Sequence, residues 1–267
     1  MDGTRDVVRS ADGTPIGILT GGSGSPLLLV HGGLSGRSRF APLWRELVPH
    51  FRVTVMDRRG RGSSGDADLY DLRREFEDVR AVADHLAGPD GEPVDTFGHS
   101  IGGVVVLGAA GMGAPLRRLA LYEPPGPPTV SGGSLTRMRS HLAAGQPGRA
   151  IAGFLVDVVG MTPEQVEQAR SAPPGPDDYL AIASRTFVRE GEALAALDLR
   201  ALARRVRVPV LLMHGTASPS WTEQVVGALA RALPDVEVVS LPGHGHEGVD
   251  TAADLVAAEL RRFLLRD

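Results

Sequence analysis

Residues 97–103 have the sequence Phe-Gly-His-Ser-Ile-Gly-Gly, and this stretch decides the fold of the chain. An apolar segment precedes it at residues 94–97, and a smooth apolar run follows it at residues 104–110. This order predicts a strand, a tight turn and a helix, with Ser100 at the apex and a glycine two positions away on each side. Glycine permits the strained backbone and the close strand–helix approach that such a turn needs. A serine at this position, at a helix N-terminus that favours negative charge, is typically a nucleophile.

The composition excludes several kinds of chemistry. The 267 residues contain no cysteine, so disulfides, zinc–thiolate sites and a cysteine nucleophile are excluded. All 28 basic residues are arginine, which excludes a Schiff-base lysine. The net charge of −4 does not favour binding to nucleic acid or to an anionic membrane. The first residues have no apolar signal segment and no apolar run is long enough to span a membrane, so we expect a cytoplasmic enzyme with a small-molecule partner. The sequence indicates no oligomeric state.

Short strand patterns alternate with helical patterns through most of the chain, and this alternation predicts an α/β fold with a mostly parallel, eight-stranded sheet. Strands are predicted at residues 4–10, 14–20, 26–30, 51–56, 93–97, 116–122, 208–214 and 236–241. Flanking helices are predicted at residues 40–49, 70–86, 100–111, 221–233 and 251–265.

A proline-rich segment at residues 124–128 interrupts the alternation. Only helical patterns follow it, at residues 134–144, 148–160, 163–171, 177–190 and 194–203. We therefore expect a core domain formed by residues 1–123 and 206–267, with a helical cap inserted at residues 124–205. Because the insertion leaves from the strand ends where α/β sites form, we interpret it as a lid rather than as padding of the core.

Three more motifs follow predicted strands. His31-Gly32-Gly33 follows the strand at residues 26–30, and its glycines can present a free backbone N–H to an oxyanion. The charged, glycine-containing segment at residues 57–64 follows the next strand. Gly243-His244-Gly245-His246 follows the last one, where a histidine in a tight loop can act as a general base on the serine.

With the serine turn, these motifs resemble the α/β-hydrolase superfamily, in its serine esterase, lipase and haloperoxidase-like branch with a helical cap. The resemblance covers nearly the whole chain. It implies Ser100 as nucleophile, His246 as base and the backbone amides of Gly33 and Ile101 as the oxyanion hole, with no metal or organic cofactor. His246 is preferred to His244 because the family's catalytic histidine follows the second glycine of this motif.

Four other polar residues near the motifs are expected to be structural. His99, which precedes the serine, would pack or hydrogen-bond locally, and His31 would brace the oxyanion loop. Asp57 and Arg59 would hold their own loop by ion pairs and turn hydrogen bonds.

The acid of the triad is not at its usual place. The family carries it in a His-Gly-x-x-Asp segment, but this chain has Ser218 at the aspartate position. Our leading hypothesis is that the acid has moved to Glu123, directly after the strand at residues 116–122, from where it could reach the same imidazole. Glu123 could instead pair with a lid arginine, Glu223 could replace the aspartate, or the site could be a serine–histidine dyad.

A serine nucleophile attacks carbonyl groups, so the resemblance implies hydrolysis of an ester, thioester or lactone through an acyl-enzyme. Apolar residues at helical spacing in the cap, among them Phe154, Val158 and Phe187, favour a neutral or apolar acyl group, although such a stripe is mostly core. Two alternatives stay open at this point: a C–C bond hydrolase or cofactor-free lyase or cyclase on the same scaffold, and a non-catalytic ligand-binding member.

Overall fold

The computed structural model describes residues 1–89, 91–171 and 177–266, and its centre is an eight-stranded sheet. The strands are β1 (Thr4–Arg9), β2 (Pro15–Gly21), β3 (Pro26–Val30), β4 (Arg52–Met56), β5 (Val94–His99), β6 (Leu116–Tyr122), β7 (Val210–Gly215) and β8 (Val236–Leu241). Their spatial order is β1-β2-β4-β3-β5-β6-β7-β8. Only the β1–β2 and β2–β4 pairs are antiparallel. The predicted mostly parallel sheet is confirmed.

Helices cover both faces of the sheet. They are α1 (Ala41–Leu47), α2 (Leu72–Ala87), α3 (Ile101–Gly111), α4 (Gly132–Ala143), α5 (Pro147–Phe154), α6 (Pro163–Ser171), α7 (Tyr179–Ala195), α8 (Leu199–Ala203), α9 (Ser220–Ala230), α10 (Gly248–Thr251) and α11 (Ala253–Leu264). A 3₁₀ turn (Arg37–Phe40) precedes α1, and a π-helical turn (Leu155–Val159) extends α5. No helix in the described part of the chain has both the length and the apolar character needed to cross a membrane.

Strand β3 shows why the central strands read as continuous apolar runs. Leu27 and Leu29 point into a cluster with α1 and α11, whereas Leu28 and Val30 point into a cluster with α2, α3 and α9. All four side chains are fully buried. A strand covered on both faces needs apolar residues at every position, because alternate side chains enter opposite cores.

The helical segments between β6 and β7 differ from prediction in their bounds. The pattern predicts one helix ending at residue 190 and another beginning at residue 194, but α7 continues unbroken to Ala195. Gly191 therefore lies inside a helix and does not end one. A Cβ added there would lie 2.4 Å from Cδ2 of Leu135, so the glycine lets α4 and α7 pack closely.

Helices α4, α5 and α7, with the π-helical turn, share a small apolar cluster of their own, and α7 also contacts the sheet domain through charges. The cluster consists of Val130, Leu135, Met138, Ala150, Val158, Ala183 and Phe187. From α7, Arg189 pairs with Asp66 at 2.9 Å, and Glu190 pairs with Arg58 at 2.9 Å. The carboxyl ends of the central strands therefore face this helical segment.

Candidate active site

Ser100 lies in a strained turn between β5 and α3. Its backbone angles are φ 55° and ψ −133°, in a region that residues other than glycine rarely adopt. A Cβ added at Gly102 would lie 2.3 Å from the carbonyl oxygen of Val30, and one at Gly98 would lie 2.6 Å from the Cα of Gly103. Only glycine fits at these two positions, so the G-x-S-x-G spacing follows from the close packing of α3 on β3 and β5.

Glu123 also has a strained backbone, with φ 46°, at the point where the chain leaves β6. Its carboxylate is fully buried. One oxygen, Oε2, lies 2.7 Å from Nδ1 of His246. The other, Oε1, accepts a hydrogen bond from the backbone N–H of Gly215 at 2.8 Å and another from the Ser218 hydroxyl.

The serine at the usual aspartate position thus contacts the carboxylate instead of replacing it. Ser218 donates its hydroxyl hydrogen to Glu123, from the loop that follows β7. Glu223 is exposed on α9. Among the contacts between described residues, no arginine pairs with Glu123. Of the groups considered from the sequence, it is Glu123 that the structure brings to His246.

The neighbours of His246 fix its orientation. Because the carboxylate of Glu123 accepts a hydrogen bond at Nδ1, the ring carries its proton there and leaves Nε2 as a free base. The centroid of the His246 ring lies 4.8 Å from that of His99, with the rings tilted by 39°, and 5.8 Å from that of Trp221 in a T-shaped arrangement. The Tyr122 hydroxyl donates to the carbonyl of Gly245 at 2.7 Å, which ties the histidine loop to β6.

His99 contacts the loop that carries His246. It is buried, and its Nε2 hydrogen-bonds the backbone carbonyl of His246 at 3.1 Å. A carbonyl can only accept, so the His99 ring carries its proton on Nε2. Burial, together with the positive charge that His246 can carry, lowers the pKa of His99 well below its usual value. The expectation of a structural His99 is confirmed.

His31 braces the turn that carries Gly33. Its Nε2 accepts a hydrogen bond from the backbone N–H of Arg58 at 3.1 Å, so Nδ1 carries the proton and donates it to the carbonyl of Gly32 at 2.9 Å. Burial, reinforced by the charges of Arg61 and Arg58, lowers the pKa of His31 well below its usual value. A neutral ring with one donor and one acceptor thus locks the turn, as expected.

The loop after β4 is held as predicted. Oδ2 of Asp57 accepts hydrogen bonds from the backbone N–H of Ser63 at 2.9 Å and from its hydroxyl at 3.0 Å. Arg59 pairs with Asp78 at 2.7 Å, on α2. These contacts fix the loop that carries Arg58 and Arg61 under the site.

Four of the predicted site residues line one cavity. Ser100, Ile101, Gly33 and His246 all line it. The rest of the lining is mainly apolar and comes largely from residues after β6: Pro125, Thr129, Val130, Met138, Phe154, Val158, Phe187, Gly191, Leu194 and Trp221, with Glu190 as a charged exception. Ser100, His246 and the two residues whose backbone amides are predicted to form the oxyanion hole thus line one largely apolar space.

A family model described as the alpha/beta hydrolase family matches residues 27–259. The chain belongs to the alpha/beta hydrolase family. The eight-stranded sheet and the flanking helices have the architecture of that fold.

Relatives of this hydrolase include enzymes with different named activities. It is similar to an alpha/beta hydrolase from Sphaerobacter thermophilus, with 36% identity, a TM-score of 0.83 and coverage of 97% of this chain and 100% of that one. It is 28% identical over 245 residues to N-formylmaleamate deformylase of Pseudomonas putida, covering 85% of this chain and 83% of the relative. It is also 28% identical over 252 residues to pimeloyl-[acyl-carrier protein] methyl ester esterase of Stenotrophomonas maltophilia, covering 91% and 94%.

Glu190 on α7 is the charged residue of the hydrolase's cavity that could not be predicted from the sequence. It lies in a charged helical segment that resembles an ordinary solvated face, yet only 4% of it is exposed. Its partners, Arg58 and Arg61, lie more than a hundred residues earlier in the chain. Local spacing carries no signal for so distant a contact.

Within residues 1–89, 91–171 and 177–266, no three His, Cys, Asp or Glu side chains are grouped so that they could hold a metal ion.

Proposed function

We propose that the hydrolase cleaves a carboxylic ester, thioester or lactone through an acyl-enzyme on Ser100. The observation that carries the proposal is the Glu123–His246 pair at 2.7 Å, because His246 lines the same cavity as Ser100. A carboxylate that orients an imidazole toward a serine is the arrangement that activates a hydroxyl as a nucleophile. The relatives named as a methyl ester esterase and a deformylase support hydrolysis of an acyl compound.

In the proposed reaction, Nε2 of His246 takes the proton of the Ser100 hydroxyl as its oxygen attacks the carbonyl carbon. The carbonyl oxygen becomes an oxyanion, which accepts hydrogen bonds from the backbone amides of Gly33 and Ile101. His246 then protonates the leaving group, and the acyl-enzyme forms. Water, deprotonated by His246, attacks the acyl carbon, and the acid and Ser100 are released. The negative charge of Glu123 stabilises the imidazolium in both halves.

The substrate we propose is a small neutral molecule with an apolar acyl part. The cavity lining supports this, because Met138, Phe154, Val158 and Phe187 present apolar surface to it. Three of these residues, Phe154, Val158 and Phe187, belong to the apolar stripes of the helical insertion. We propose that the insertion at residues 124–205 serves as a cap that closes the acyl pocket and excludes water.

Pre-steady-state kinetics test the proposal. A series of 4-nitrophenyl esters, from acetyl to octanoyl, is mixed with the purified hydrolase, and release of nitrophenol is followed. We expect a burst equal to the enzyme concentration, because acylation precedes a slower deacylation. Ser100→Ala is expected to abolish both the burst and the turnover. Cleavage of β-diketone substrates without action on any ester would refute the ester hydrolase in favour of a C–C hydrolase.

A further inference from the structure

Glu190 uses only one of its two carboxylate oxygens for ion pairs. Oε1 accepts hydrogen bonds from Nη2 of Arg58 at 2.9 Å and from Nη2 of Arg61. Oε2 accepts none among the hydrogen bonds of the described residues. It lies 3.4 Å from the point where a Cβ on Gly33 would stand, and Glu190 lines the cavity. The second oxygen is therefore beside the oxyanion turn.

Glu75 shows what a purely structural carboxylate does in the same cluster. Its two oxygens pair with Nε and Nη2 of Arg58, each at 2.7 Å, and one of them also accepts the Tyr70 hydroxyl at 2.8 Å. Both oxygens are therefore satisfied by protein, and Glu75 does not line the cavity. Glu190 differs because its Oε2 accepts no hydrogen bond from the described residues.

The charges of the cluster balance. Arg58 and Arg61 carry two positive charges, and Glu75 and Glu190 carry two negative ones. The arginines thus offset the repulsion that a carboxylate near the oxyanion turn would otherwise exert on a developing oxyanion. Because Oε2 of Glu190 has no donor among the described residues and Glu190 lines the cavity, a ligand that supplies a donor at this point gains a charge-assisted hydrogen bond.

We propose that Oε2 of Glu190 accepts a hydrogen bond from the substrate, and that the acyl part carries a neutral donor, a hydroxyl or an amide N–H, close to the scissile carbonyl. This inference rests on the proposed ester hydrolysis and specifies its substrate class. A neutral donor is favoured over a cation because the cluster is already neutral. An acyl group with a carboxylate at this point is repelled. The apolar side chains that line the rest of the cavity contact the remainder of the acyl group, and the hydrogen bond to Glu190 fixes the orientation of that group.

Substrate pairs test this on the unaltered hydrolase. Methyl butyrate is compared with methyl 2-hydroxybutyrate, methyl 3-hydroxybutyrate, methyl N-acetylglycinate and the anion of monomethyl succinate, with acid release followed by pH-stat. We expect kcat/KM for at least one donor-bearing ester to exceed that for methyl butyrate by about tenfold or more. We expect the anion of monomethyl succinate to have the lowest kcat/KM of the series. Equal rates for all the neutral esters would overturn the assignment.

The variants Glu190→Gln and Glu75→Gln separate recognition from stability. In Glu190→Gln the amide oxygen stays on the arginines, so the NH₂ group faces the cavity as a donor. We expect the preference for donor-bearing esters to disappear and the succinate ester to gain relative to methyl butyrate. Glu75→Gln removes the same charge from Arg58 outside the cavity, so the wild-type substrate ratios should persist even if stability falls. Loss of the preference in both variants would contradict a contact specific to Glu190.

The two proposals fail differently. If the wild-type enzyme hydrolyses none of the esters and shows no burst, the ester hydrolase itself is refuted. If it shows a burst and its kcat/KM for methyl butyrate equals that for the donor-bearing esters, the ester hydrolase stands and the role of Glu190 is refuted. The wild-type comparison decides the inference even where a variant does not fold.

Discussion

Glu123 combines a sharp backbone turn with a buried side chain that contacts two loops. Its backbone, at φ 46°, turns sharply after β6, and its buried side chain links the loops after β7 and β8. The hydroxyl of Ser218 and the N–H of Gly215 both donate to one oxygen, which leaves the other for His246. Ser218, at the position where the family resemblance implies an aspartate, therefore donates a hydrogen bond to the carboxylate of Glu123.

Substitution of the two residues should have unequal effects. Glu123→Gln keeps the shape but removes the charge that stabilises imidazolium, so kcat should fall about 10³- to 10⁴-fold. Ser218→Ala removes one hydrogen bond and leaves that of Gly215, so the loss should be about tenfold or less. Steady-state kinetics on one ester measure both. A Glu123→Gln enzyme with wild-type kcat would refute the role of this acid.

The buried neutral His31 predicts a pH effect on stability. Its native pKa lies below the value of about 6.5 of an exposed histidine, so the unfolded chain takes up a proton first as the pH falls. The free energy of unfolding should therefore decrease below about pH 6.5, by at most about 1.4 kcal/mol per pH unit from this group.

Urea unfolding at about pH 7 and about pH 5.5 measures this, with His31→Gln as the comparison. The glutamine amide does not titrate, so the variant should lose less free energy over the interval. Other groups, such as Asp250, titrate in both proteins and cancel in the difference. Equal pH dependence in the two proteins would show that His31 is not held neutral.

The sequence predicted the residues of the site that follow strands, and it did so for a physical reason. Ser100, His246 and Glu123 each stand next to a strand end, and parallel strands bring their carboxyl ends to one edge of a sheet. The hydrogen bond from Ser218 to Glu123 could not be predicted, because it depends on the path of a loop. Glu190 was missed because its contacts join distant segments through a helix register that the sequence does not encode locally.

At the scale of elements, the strand–turn–helix at β5 and α3 was predictable because glycines mark it. The bounds of α7 were not, since a glycine inside a helix and one at its end look alike in sequence. Gly191 packs against Leu135, which is a contact between two helices and not a local signal. The predicted helix at residues 251–265 corresponds to α11 (Ala253–Leu264), whereas the short helix α10 (Gly248–Thr251), just before it, was not predicted.

The tight packing of α3 can be tested with two glycine substitutions. In Gly102→Ala the new methyl would lie 2.3 Å from the Val30 carbonyl oxygen, so either the helix or the strand must move, at a cost of about 1–3 kcal/mol in stability. Gly153→Ala, in α5, meets no atom within 4 Å and should be neutral or stabilising by up to about 1 kcal/mol. Thermal and urea unfolding compare them, and a Gly102→Ala protein as stable as Gly153→Ala would refute close packing at the turn.

For the whole molecule, Arg58 joins three parts of the chain. It is fully buried in the loop after β4 and pairs with Glu75 on α2 and with Glu190 on α7. It also donates to the carbonyl of Gly32 at 3.0 Å. One guanidinium thus contacts the helical insertion, the sheet domain and the turn that carries Gly32 and Gly33.

Removal of this guanidinium should destabilise the whole protein. Arg58→Met leaves the buried carboxylate of Glu75 without an arginine and Glu190 with Arg61 alone, which should cost about 3–5 kcal/mol. Arg80→Met removes an exposed arginine whose pair with Asp84 spans 3.7 Å, and it should cost about 1 kcal/mol or less. Urea unfolding measures both, and equal stabilities of the two variants would contradict the role given to Arg58.

The central claim is that Ser100 is a nucleophile activated by His246 and Glu123. The most direct measurement is reaction with a fluorophosphonate, followed by intact-mass analysis and peptide mapping. We predict one adduct per chain on the peptide that contains Ser100, no adduct in Ser100→Ala, and much slower labelling in Glu123→Gln. An unlabelled wild-type protein, or a label on another residue, would contradict the account.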